Sequence, residues 1–114
     1  PHPDDKVQGL RSIEHGFIPP ILDLNKLDGR ILVDGEEAFY WTRRLLTDSG
    51  VFVGVSSGAT FATARKIAQK MSDEDREGTI VAMFADGGWK YLSTGIYGED
   101  FKFDQSEIEG KTWW

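Results

Sequence analysis

A β-branched and aromatic run that breaks straight into a helical pattern constrains this chain more than any other feature. It covers residues 51–65 and reads VFVGVSSGATFATAR. Val51, Phe52, Val53 and Val55 suit a strand covered on both faces, with Gly54 inside it. Past Ser56-Ser57-Gly58, Phe61, Ala64, Ile67, Ala68 and Met71 recur at helical spacing on one side, while Arg65, Lys66 and Gln69 fall on the other. A strand passing through Ser-Ser-Gly into a helix leaves hydroxyls and free backbone N–H groups at the carboxyl end of a sheet. Open α/β folds bind their ligands there.

The flanking segments extend the same order. Residues 30–33 (Arg-Ile-Leu-Val) read as a short strand, and Asp34 with Glu37 three residues on forms a capping box. The helix that follows carries Ala38, Trp41, Leu45 and Leu46 on or near its buried side and stops at Gly50 in a left-handed turn. Residues 79–84 (Thr-Ile-Val-Ala-Met-Phe) form a third apolar strand, ending at Ala85-Asp86-Gly87-Gly88. Strand, helix, strand, helix, strand with short links predicts an α/β fold: a three-layer αβα arrangement on a parallel sheet with right-handed crossovers. The strand ends after Val55 and Phe84 then neighbour one another, which brings Ser56, Ser57 and Asp86 together. Three strands make a thin sheet, and a larger parent protein explains why both its faces look buried.

The remaining stretches are connectors. Residues 1–20 read as loop, broken by Pro1, Pro3, Pro19 and Pro20. Within it, Arg11 is either an anion-binding arm or a solvated loop arginine, and spacing alone favours the latter. His2 and His15 have no companions at metal-ligand spacing, so no metal site is expected. Residues 21–28 link to the first strand, residues 72–78 form an acidic surface turn or short helical piece, and a short helix begins at Trp89. One domain covers residues 1–98. Residues 99–114 form a tail closing on Trp113-Trp114, aromatic residues that pack over a cleft.

At 114 residues the chain is at most one modest domain, and its net charge of -6 argues against non-specific nucleic-acid binding. The absence of cysteine excludes disulfides and thiolate metal sites and fits a cytoplasmic address. No apolar run is long enough to span a membrane. Opening on Pro1-His2-Pro3-Asp4-Asp5-Lys6, with no initiating methionine, the chain starts as an internal loop does. That makes it a fragment or excised domain, although a processed terminus gives the same start.

Residue types leave three readings of the Ser-Ser-Gly turn open. It is a helix cap without a ligand, an anion site at a helix N-terminus, or a hydroxyl that hydrogen-bonds a neutral heterocycle. A serine nucleophile is weaker, because no G-x-S-x-G pattern surrounds it and no placed histidine serves as base.

Four blocks carry a family resemblance: Val7-Gln8-Gly9-Leu10, Gly16-Phe17-Ile18-Pro19, Gly54-Val55-Ser56-Ser57-Gly58-Ala59 and Tyr91-Leu92-Ser93-Thr94-Gly95. In these the chain resembles the C-terminal third of a cysteine synthase, a pyridoxal 5'-phosphate enzyme of fold type II, the tryptophan-synthase-β type. The residues between Leu10 and Gly16 are similar to the B-type branch. The run from Asp86 to Thr94, and the tail near Glu109-Gly110, resemble sulfur-carrier-dependent enzymes that use O-phosphoserine and a protein thiocarboxylate.

The resemblance implies a role for each matched position. Ser56 meets the pyridine nitrogen of the cofactor, Asp86 lies beside the ring end of the site, and Arg11 binds the phosphate of O-phosphoserine. A serine can donate to an unprotonated ring nitrogen, and the weaker electron sink that results suits β-elimination. The resemblance further implies O-phosphoserine or O-acetylserine as substrate, L-cysteine as product, a thiocarboxylated carrier protein as sulfur donor and a homodimer when complete. The tail would shield the reacting centre from water. The family's Schiff-base lysine sits in an N-terminal Ser-x-Lys motif that this chain lacks, as it lacks the glycine-threonine-rich phosphate loop. Lys90 is no substitute, so no catalytic residue is expected here and the chain alone should be inactive. The competing readings are a non-catalytic binding or regulatory module that reuses the fold, and a fragment of a cystathionine β-synthase-like enzyme.

Overall fold

The computed structural model describes residues 18–98. A 3-10 helix, Leu24–Lys26, comes first, capped by Asp23, whose carboxylate accepts from the Asn25 N–H at 3.0 Å. Two α-helices follow, α1 (Gly35–Ser49) and α2 (Val55–Asp73), and a 3-10 helix, Gly88–Thr94, closes the order.

Helix α1 begins where the sequence predicts. Asp34 Oδ1 accepts from the Glu37 N–H at 2.7 Å, satisfying one of the orphan donors of the first turn. Instead of reaching back to complete the box, the Glu37 carboxylate is taken by Lys66 Nζ of α2, also at 2.7 Å. The helix ends at Gly50, whose φ of 67° is the left-handed conformation that glycine tolerates best.

The two helices meet at one tight point. Thr42 is fully buried on α1 and returns its hydroxyl to the Ala38 carbonyl at 2.7 Å, so it makes no polar demand on the interface. Gly58 of α2 lies against that spot, and a Cβ there would collide with Thr42 Oγ1 and the Ala38 carbonyl. Beside this contact Trp41 meets Phe61 edge-on at 5.6 Å, and the Arg65 guanidinium stacks 3.9 Å from the Trp41 ring centroid. The core then gathers Ala38, Phe39, Val55, Ala59, Tyr91 and Ile96, with Val33 and Tyr97 packed against it.

Three expectations change. First, residues 30–33, 51–54 and 79–84 form no strand ladder among the described residues. Their one β pairing is an isolated antiparallel bridge between Val53 and Gly87. A strand needs a hydrogen-bonding neighbour at about 4.8 Å and cover on its apolar faces. Val81 and Met83, 89% and 76% exposed, have no such cover here. The parallel sheet and its αβα layering are therefore not formed within the described residues.

Second, Val55 opens the helix instead of closing a strand. Gly54 is the N-cap, in extended conformation, and Val55 is almost completely buried. Third, the buried face of α2 is concentrated in its first two turns, at Val55, Ser57, Gly58, Ala59 and Ala62. Ile67 and Ala68, predicted to share that face, are exposed. Past α2, Asp75 takes a left-handed φ of 52° and the chain reverses through an exposed turn.

Candidate functional site

The start of α2 and the segment after Phe84 meet through backbone. The Gly54 N–H donates to the Asp86 carbonyl at 3.3 Å, and the Gly88 N–H donates to the Phe52 carbonyl at 3.2 Å. Tyr97 secures the junction, its hydroxyl lying 2.7 Å from the Val53 carbonyl and 3.2 Å from that of Gly88. Its ring packs edge-on against Phe52 at 4.9 Å.

Side chains complete the junction. Tyr91 is buried and donates its hydroxyl to Asp86 Oδ2 at 2.9 Å. The other carboxylate oxygen, Oδ1, lies against Gly54, where a Cβ would clash with it and come within 2.6 Å of the Tyr91 ring. Only a glycine leaves room for that carboxylate. Burial pushes the Tyr91 phenol up to about 12, and its hydrogen bond to the Asp86 carboxylate acts in the same direction. Burial raises Tyr97 as well, with the charges of Tyr91 and Asp86 adding to it.

Two buried side-chain polar atoms have no hydrogen-bond partner among the described residues: Ser57 Oγ and Asp86 Oδ1. Both belong to the segments that meet here. Such atoms cost about 1–3 kcal/mol each when left unsatisfied, so each is a candidate hydrogen-bonding group for a ligand. Helix α2 also starts with no side-chain cap, which leaves donors of its first turn open.

The predicted site residues fall as follows. Ser56, half-buried, is the second residue of α2, two positions past Gly54. Asp86, also half-buried, reaches the same helix start through its contact with Gly54. Arg11 and the tail over residues 99–114 lie outside the described residues. Sequence reasoning gave Gly54 and Tyr91 no part in the site. A glycine inside an apolar strand pattern does signal a close approach by another group, and here that group is a carboxylate. Tyr91, five residues past Asp86, carried no comparable signal, since a loop and a 3-10 helix set that pairing.

Among the described residues no group of acidic and histidine side chains could hold a metal ion, and no helix is long and apolar enough to cross a membrane.

No family model matches the chain. Cysteine synthase of Aquifex aeolicus is 38% identical over 98 residues, which cover 86% of this chain and 30% of that protein. Cysteine synthase A of Escherichia coli is 38% identical over 96 residues, 84% of this chain and 28% of its own length. Among solved structures, O-ureido-L-serine synthase superposes with a TM-score of 0.66 at 35% identity, covering 91% of this chain and 31% of that one. A hydrogen sulfide-producing enzyme, solved as a D232N mutant with an alpha-aminoacrylate intermediate, gives a TM-score of 0.61 at 35% identity over 81% of this chain and 27% of its own. The chain therefore spans about three tenths of the length of the curated relatives it matches. It is a homologue of the cysteine synthases along that stretch, and the relationship implies pyridoxal 5'-phosphate as the cofactor of the complete enzyme.

Proposed function

We propose that this chain supplies the C-terminal part of a pyridoxal-phosphate-dependent β-replacement enzyme that makes L-cysteine from O-phosphoserine or O-acetylserine. The observation that carries the reading is the start of α2. There the Ser56 hydroxyl sits two residues from the point where Asp86 closes on Gly54. The residues present fit the implied cofactor: two buried polar atoms without partners and an uncapped helix start offer hydrogen bonds to a flat, polar heterocycle.

In this reading Ser56 hydrogen-bonds the pyridine nitrogen and Asp86 flanks the ring end. When bound, pyridoxal phosphate supplies the electron sink for elimination and replacement at the substrate's β-carbon. Arg11 binds the phosphate of O-phosphoserine through a charge-assisted contact, and residues 99–114 fold over the cleft to exclude water. Residues 1–98 join the parallel sheet of a fold type II domain, whose missing strands cover the apolar faces of residues 79–84. The complete enzyme is a cytoplasmic homodimer that takes sulfur from a thiocarboxylated carrier protein. The chain alone is inactive, because these residues contain no Ser-x-Lys motif to hold the cofactor.

The test compares this chain with a fusion that joins it to the lysine-bearing N-terminal segment of the Aquifex aeolicus relative. Borohydride should trap cofactor on the fusion and not on the chain alone. The fusion should form cysteine from O-phosphoserine and a sulfur donor, and Arg11→Ala should reduce use of O-phosphoserine far more than of O-acetylserine. A folded fusion that binds cofactor but releases no phosphate or acetate from either substrate would instead favour a non-catalytic module.

A further inference from the structure

We infer that Tyr97 is a positioning residue for the proposed cofactor site: its hydroxyl locks the backbone before Ser56 to the backbone after Asp86. The inference rests on the reading of the Ser56 turn as part of a pyridoxal phosphate site, where the serine hydroxyl donates to the ring nitrogen. Tyr97 acts on that contact through the backbone.

The turn after the 3-10 helix aims Tyr97. Gly95 closes that helix in the left-handed region, at φ of 72°, and Ile96 beyond it is fully buried in the core. Tyr97 is thereby carried back across the junction, where its ring lies edge-on to Phe52 at 4.9 Å. Its hydroxyl donates to the Val53 carbonyl at 2.7 Å and lies 3.2 Å from the Gly88 carbonyl. Val53 precedes Ser56 by three residues, and Gly88 follows Asp86 by two. One hydroxyl therefore spans both segments that carry site residues.

Backbone alone holds these segments loosely. Val53 and Gly87 form an isolated bridge, flanked by N–H···O distances of 3.3 Å (Gly54 to Asp86) and 3.2 Å (Gly88 to Phe52), at the long end for such bonds. The bond from Tyr97 to Val53 is shorter than either. A Cβ at Gly88 would strike both the Tyr97 hydroxyl and the Phe52 ring, so glycine is what lets the tyrosine reach the backbone. A shift of about 1 Å at the start of α2 takes the Ser56 hydroxyl out of hydrogen-bond range of a ring nitrogen.

The test uses the full-length enzyme and Tyr97→Phe, which keeps the ring and removes only the hydroxyl. In the apoenzyme, amide hydrogen exchange at Gly54 and Gly88 should quicken about fivefold or more, while amides in the middle of α1 keep their rates. In cofactor titrations, Tyr97→Phe should weaken pyridoxal phosphate binding about five- to tenfold, the size expected for one hydrogen bond. In a Ser56→Ala background the same change should cost no more than about twofold, because Tyr97 acts through Ser56. Equal losses in both backgrounds, or unchanged exchange at Gly54 and Gly88, overturn the inference and leave the cofactor site in place. A wild-type enzyme that takes up no pyridoxal phosphate overturns the proposed function, and the inference with it.

Discussion

The Tyr91 hydroxyl and the Asp86 carboxylate form a 2.9 Å hydrogen bond that ties the 3-10 helix Gly88–Thr94 back to the start of α2. Stability at high pH should report it. Burial first, and then the bond to Asp86, lift the Tyr91 phenol from 10.0 to about 12. The folded state thus keeps its proton over a range where the unfolded state has lost it. The contribution is complete below pH 10 and is lost as pH rises through about 12. Urea denaturation from pH 8 to 12 should show stability falling across that window, and Tyr91→Phe should flatten the fall while lowering stability at pH 8. An unaltered slope in the variant would remove Tyr91 from the account.

The contact between Gly58 and Thr42 sets how closely α2 can approach α1. A Cβ at Gly58 would press on the Ala38 carbonyl as well as on Thr42 Oγ1, and a backbone atom cannot turn aside. Gly58→Ala should therefore destabilise by about 1–3 kcal/mol, the usual cost of overpacking, despite the better helix propensity of alanine. Gly29→Ala is the control, since nothing lies within 4 Å of a Cβ there. Equal denaturation midpoints for the two variants would refute the close approach.

Helix α1 depends on its cap. Asp34→Ala removes the 2.7 Å bond to the Glu37 N–H and should cost about 0.5–2 kcal/mol. Glu37→Gln leaves that cap untouched and removes only the charge paired with Lys66 on a partly exposed surface, so its cost should stay below about 1 kcal/mol. Helical circular dichroism followed through urea titration separates the two, and a larger loss from Glu37→Gln would reverse the assignment.

What the sequence made legible follows from how local each signal is. Asp34, Gly50 and the 3-10 turn starting near Trp89 are specified by a few neighbouring residues, and each stands where capping and turn chemistry predict. The strands at residues 30–33, 51–55 and 79–84 were read from apolar runs. A run gives a tendency that only a paired neighbour realises, and the described residues provide one bridge, at Val53 and Gly87. The face of α2 failed for a related reason. Periodicity marks Ile67 and Ala68 as apolar but carries no record of which turns of the helix a neighbour covers. At the site, Ser56 and Asp86 were visible as residue types at segment ends. Their link through Gly54 was not, because it depends on how two segments distant in sequence meet.

Gly54 is where stability and ligand binding can be told apart. Gly54→Ala would push a methyl into Asp86 Oδ1 and the Tyr91 ring, while the extended backbone at residue 54, with φ of -79°, accepts alanine without strain. The damage should therefore come from displacing the carboxylate and not from the backbone. In the cofactor-loaded enzyme, Gly54→Ala should weaken pyridoxal phosphate binding at least tenfold by fluorescence titration. The double variant Gly54→Ala with Asp86→Gly, which clears the space, should regain stability but not the wild-type affinity for pyridoxal phosphate. If the double variant is as unstable as the single one, the Gly54 contact is with something other than Asp86, and the carboxylate loses its place at the head of α2.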